Sequence, residues 1–118
     1  MEKIVKKIVF VLSLTFVLSA CTASSVKMHP GSENVQIGTA APEAGYSMLG
    51  PISAKHGGGC GLYGAEGDFA GAMNILRNKA AEMGADYVQI IRQQGEHMSG
   101  LCLDRAYDID GLAFKKSQ

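Results

Sequence analysis

Between residues 68 and 83, Phe69, Ala72, Met73, Leu76, Ala80 and Met83 recur at three- and four-residue spacing and draw one apolar stripe. Asp68 is a suitable N-cap, and Gly84 suits the left-handed position just past the end. Arg77, Asn78, Lys79 and Glu82 fall on the water side of this pattern. The spacing predicts a helix over 68–83. Gly71 weakens its first turn by about 1 kcal/mol relative to Ala, so it points to close backbone packing there. Met48, Met73 and Met83 fall on apolar faces and read as core packing.

The rest of the pattern is that of short strands. Val35 and Ile37 alternate with polar neighbours. The stretch 45–52 alternates Tyr46 and Met48 against Ser47 and Leu49, and Gly50-Pro51 bends or ends it. Residues 53–67 contain six of the fifteen glycines and predict a loop. After the helix, 86–92 is nearly continuous in apolar residues (Tyr87, Val88, Ile90, Ile91), as a central strand is. The polar run 93–100 turns the chain. The stretches 101–107 and 112–116 are two further strands, separated by Asp108-Ile109-Asp110-Gly111. The expected fold class is α+β, in the order β-β-α-β-β, with one amphipathic helix on a small mixed or antiparallel sheet.

The N-terminus follows a different pattern. Lys3, Lys6 and Lys7 outweigh Glu2, and 8–17 is apolar apart from Ser13 and Thr15. A basic start, an apolar run of about ten and small residues before a cut describe a secretory signal peptide. The run is short of the ~20 apolar residues that span a bilayer. Leu18-Ser19-Ala20-Cys21 resembles the bacterial lipobox. By that resemblance 1–20 is removed and Cys21 becomes the first residue, with a thioether-linked lipid and a fatty acyl group such as palmitate on its amine. Two or three acyl chains hold a protein stably on a membrane where one is marginal. Thr22, rather than Asp, favours the outer membrane under the enterobacterial sorting rule. The polar stretch that follows, with Pro30-Gly31, reads as a tether to residue 34. Extended, it would reach about 40 Å. The folded domain is then expected over 35–118.

Composition narrows the function. The whole chain of 118 residues has zero formal net charge. Without 1–20 it has eight basic and ten acidic side chains, a net of −2. That charge gives no footprint for nucleic acid. Asp104, Asp108 and Asp110 are too closely spaced for a calcium loop and read as turn chemistry. Gly59-Cys60-Gly61-Leu62-Tyr63-Gly64 matches a dinucleotide-binding glycine pattern only in letters, because no acidic residue follows a second strand at the right place.

Once Cys21 is lipidated, Cys60 and Cys102 remain. A pair of thiols in an oxidising compartment reads first as a disulfide. His56 and His97 precede them by four and five residues. The four side chains therefore also offer a zinc or copper site as an alternative. A catalytic Cys-His pair is disfavoured, since no orienting group accompanies it.

The run Leu76-Arg77-Asn78-Lys79-Ala80-Ala81-Glu82-Met83-Gly84-Ala85-Asp86-Tyr87-Val88 resembles the helix-to-strand signature of a family of small bacterial lipoproteins, the domain of unknown function 4156. Leu49-Gly50-Pro51-Ile52 and Gly111-Leu112-Ala113-Phe114 are similar to strand motifs of the same family. The plan is also similar to that of RcsF, an envelope-stress lipoprotein of the outer membrane. That resemblance implies a cystine between the loop before the helix and a later strand, in agreement with Cys60 and Cys102. The chain departs from it in having two domain cysteines rather than four and no long Pro-rich tether.

The expectation is a non-enzymatic, outer-membrane-anchored lipoprotein whose periplasmic domain binds or senses an envelope component. It needs no cofactor beyond its lipid. Its partners would be the membrane and another envelope protein. The alternatives are a metal-binding lipoprotein and a purely structural envelope protein.

Overall fold

The computed structural model describes residues 26–61 and 64–118. Residues 1–20, expected to be a signal peptide, Cys21, and Leu62 and Tyr63 of the glycine loop lie outside the described residues. The strands are β1 (Gln36–Gly38), β2 (Tyr46–His56), β3 (Tyr87–Gln94), β4 (His97–Ser99), β5 (Cys102–Asp104) and β6 (Tyr107–Lys116), with helix α1 (Phe69–Glu82) between β2 and β3. Four strands form one sheet in the order β1-β3-β6-β2, and β4 and β5 form a separate hairpin. β1 runs parallel to β3, and β6 runs antiparallel to both β3 and β2. The fold is α+β with a mixed sheet, and its main elements follow the order β-β-α-β-β.

α1 covers one face of this sheet. Asp68 caps it, its carboxylate accepting from the Gly71 N–H, and Gly84 follows it at φ 76°. Ala72, Leu76 and Ala80 meet Ile52, Ala54, Val88, Ile109 and Ala113 in one core. Leu76, Val88 and Ile109 are fully buried; each contributes about 1.5–3 kcal/mol by leaving water. The stripe is narrower than its spacing suggests. Met83 is 41% exposed, and Met48 on β2 is 58% exposed. Of the three methionines expected in the core, only Met73 packs against it.

Several expected boundaries move. β2 continues through Gly50-Pro51 to His56, because a bulge at Leu49 absorbs the irregularity and β2 is an edge strand, where proline is tolerated. The loop therefore shortens to 57–67. The turn expected over 93–100 contains the end of β3 and all of β4. β6 is one strand through Asp108-Ile109-Asp110-Gly111, not two strands split there. Asp108 and Asp110 lie within a strand rather than a turn.

The largest shift is at the start. Residues 26–34 are not a free tether. Ser32–Asn34 form a 3-10 turn, and Ser32 is completely buried. The clamp is Asn78, expected on the water side but only 7% exposed. Its Oδ1 accepts from the His29 N–H and the Ser32 hydroxyl, both at 2.8 Å, and its Nδ2 donates to the Lys27 carbonyl at 2.8 Å. One turn earlier, Asn74 Nδ2 donates to the Val26 carbonyl at 3.2 Å. Asn74 and Asn78 stand about 200° of helical rotation from Ala72 and Leu76. The N-terminal segment thus forms a third layer, on the side of α1 away from the sheet. Among the described residues the packed chain includes 26–34, ahead of the expected start at 35.

Candidate functional site

The residues singled out by sequence gather at the end of the sheet where β2 and β3 finish. Cys60 and Cys102 form a disulfide across 42 residues, with Cα atoms 5.1 Å apart. It ties the glycine loop to β5, next to a bridge between Cys60 and Asp104. Arg105 reinforces the junction through Glu66 of the loop at 2.8 Å and Glu96 before the hairpin at 3.6 Å. Within the loop, the Gly58 and Ala65 N–H groups each donate to the other residue's carbonyl.

His56 and His97 serve this framework. His56 closes β2, and its Nδ1 accepts from the Asp68 N–H at 3.0 Å. The ring lies where a Cβ on Gly71 would come within 2.3 Å of Nδ1, so glycine in the first helical turn makes room for the imidazole. His97 opens β4, with Nδ1 3.0 Å from the Gly95 carbonyl oxygen. A sulfur bonded to another sulfur offers no thiolate to a metal, so the alternative four-residue site requires the reduced chain. Among the described residues no group of three or more His, Cys, Asp and Glu side chains is arranged to hold a metal ion.

The three nearby aspartates do not act as a cluster. Asp104 accepts from the Ala106 N–H and pairs with Lys55 at 3.8 Å. Asp110 pairs with Arg92 at 2.6 Å across β6 and β3. Hydrogen bonds from Arg92 and then Ser53 hold the Asp110 carboxyl below the usual carboxylate range. A lowered pKa in the folded state contributes stability at neutral pH that is lost as pH falls through it. Arg92→Ala is expected to move the Asp110 titration up toward the ordinary value. Carboxyl-carbon NMR reads this directly, and an unmoved titration contradicts the pairing.

A second feature was not visible in the sequence. The face of the sheet away from α1 carries Tyr46, Met48, Tyr87 and Phe114 at one end. Tyr46 and Tyr87 are ring neighbours at 6.0 Å, and Tyr87 and Phe114 at 6.3 Å. Beside them is a cleft of about 540 Å³ lined by Asn34, Gln36, Tyr46, Asp86, Lys115 and Lys116. A second hollow of about 280 Å³ lies between Pro42, Glu43, Tyr46 and Tyr87. The Tyr87 hydroxyl donates to the Ala40 carbonyl at 2.6 Å and holds the β1–β2 loop at its rim. Aromatic rings next to amide and charged groups suit a polar partner with an apolar side.

The model of the family described as Domain of unknown function (DUF4156) matches residues 26–114. The chain belongs to the DUF4156 family. The match begins at Val26, the first described residue, and takes in Asn78, both disulfide cysteines and the four-stranded sheet up to Phe114 of β6. Asn78 lies in the helix-to-strand run that carried the resemblance, and in this chain it holds the N-terminal segment. No curated protein and no solved structure matches the chain. Among the described residues no helix is long and apolar enough to cross a membrane.

Proposed function

We propose that this DUF4156 protein is a lipid-anchored module of the bacterial envelope that binds another envelope component and is not an enzyme. Residues 1–20 direct export, Cys21 carries the lipid, and Thr22 directs the anchored chain to the periplasmic face of the outer membrane. The Cys60–Cys102 disulfide supports this reading most directly, because cystines persist in oxidising compartments and are rare in a reducing cytosol. Cys60, Cys102, His56 and His97 are engaged in holding the glycine loop, β2 and the hairpin. That use favours a rigid binding scaffold over a nucleophile or a base. The binding surface is the open sheet face around Tyr46, Met48, Tyr87 and Phe114, where large side chains stand on strands rather than on mobile loops.

Cys21→Ala tests the anchor. The variant is expected to accumulate as an unlipidated, uncleaved precursor, seen as a larger band that takes up no labelled fatty acid. Normal processing of that variant would contradict the lipobox reading.

A further inference from the structure

We infer that the anchored protein lies with the outer side of α1 and its N-terminal layer on the bilayer, and with the open sheet face turned away from it. This rests on the lipidation of Cys21 proposed above and adds an orientation to it. The argument begins with the clamp. Val26, Lys27 and His29 are fixed to Asn74 and Asn78 on the side of α1 remote from the sheet. Only 22–25 separate the docked chain from Cys21. Fully extended, the path from Cys21 to Val26 is about 18 Å long. A domain of this size is roughly 30 Å across. The leash therefore brings the N-terminal layer to the lipid surface but is too short to carry the opposite face there.

The side chains on this side suit an interface. Lys27, Met28 and Pro30 are exposed on the N-terminal layer, and Ala70 is exposed on α1 one turn before Asn74. A lysine with an apolar stem beside a methionine matches the boundary between headgroups and acyl chains. The open face meanwhile carries the Arg92–Asp110 pair and the Tyr46–Tyr87 cleft, which are then presented to the periplasm. A free tether ending at residue 34 would have left the domain to tumble. The docked one fixes which side a partner meets.

The chain contains no tryptophan, so a single introduced indole reports one position. The mature lipidated protein, its acyl chains first verified by mass, is placed in vesicles of phosphatidylethanolamine and phosphatidylglycerol doped with a lipid carrying a headgroup nitroxide. Ala70→Trp, on the helix side, is expected to lose most of its emission. Met48→Trp, on the open face, is expected to keep its own. Adding Asn78→Ala to Ala70→Trp is expected to restore emission, because releasing the clamp lengthens the leash. Equal quenching at the two positions, stronger quenching at position 48, or quenching indifferent to Asn78→Ala would overturn the orientation. Absence of acyl chains in the mass would instead overturn the anchor itself.

Discussion

Replacing Cys60 with Ala is expected to lower the melting temperature of the oxidised protein by roughly 20 °C. The disulfide closes a loop of 42 residues in sequence. For a loop of that length the chain-entropy model assigns about 4 kcal/mol of stability. For a domain of under a hundred residues, 1 kcal/mol moves the midpoint by about 4–8 °C. In the folded state the bond also holds the glycine loop to β5. Without the bond, the 57–67 loop has among the described residues the Gly58–Ala65 and Cys60–Asp104 bridges, the Gly64 N–H bond to the Gly61 carbonyl, the Gly67 N–H bond to the Arg105 carbonyl and the Arg105–Glu66 pair as its ties. Reductant should lower the wild-type midpoint by the same amount and leave Cys60→Ala unmoved. A wild-type melt insensitive to reductant would show that the bond does not carry the loop.

Asn78→Ala is expected to be nearly as costly, by a different route. The amide makes three hydrogen bonds, one of them to the fully buried Ser32 hydroxyl. Each such bond is worth about 1 kcal/mol net, and a buried partner left unmade costs more. The expected loss is about 3 kcal/mol. Chemical denaturation gives its size, and proteolysis gives its place. The variant should be cut within 26–34 before the remainder unfolds, while the wild type resists there. Equal resistance in both proteins would mean that the N-terminal layer is held by something other than Asn78.

Those two predictions mark what was and was not legible in the sequence. The helix was legible because its signals are local: apolar spacing from Ala72 to Ala80, a cap at Asp68 and a stop at Gly84. The disulfide partners were legible from compartment and count. Asn78 was not, because its partners lie 46 to 51 residues away, and an asparagine off the apolar stripe looks solvated from sequence alone. The tether was misjudged for the same reason: its composition is that of a linker, and only the clamp makes it structure. The misplaced break at Asp108-Ile109-Asp110-Gly111 has its own cause. Those residue types favour turns, but Ile109 is buried in the core and Asp110 is paired to Arg92 on the open face. Gly111 sits where a Cβ would approach the Gln89 carbonyl oxygen to 2.6 Å. Tertiary packing here overrides local preference. The Tyr46–Tyr87 cleft joins residues 41 positions apart, and no spacing rule reaches that far.

The compartment carries the most weight, since the lipid, the cystine and the orientation all depend on export. The intact mass of the protein extracted from membranes, taken with and without reductant after thiol alkylation, tests it most directly. The predicted result is a chain beginning at Cys21 and bearing acyl groups, with two sulfurs that alkylate only after reduction. A chain that begins at Met1, carries no lipid and alkylates at three cysteines without reductant would contradict the account.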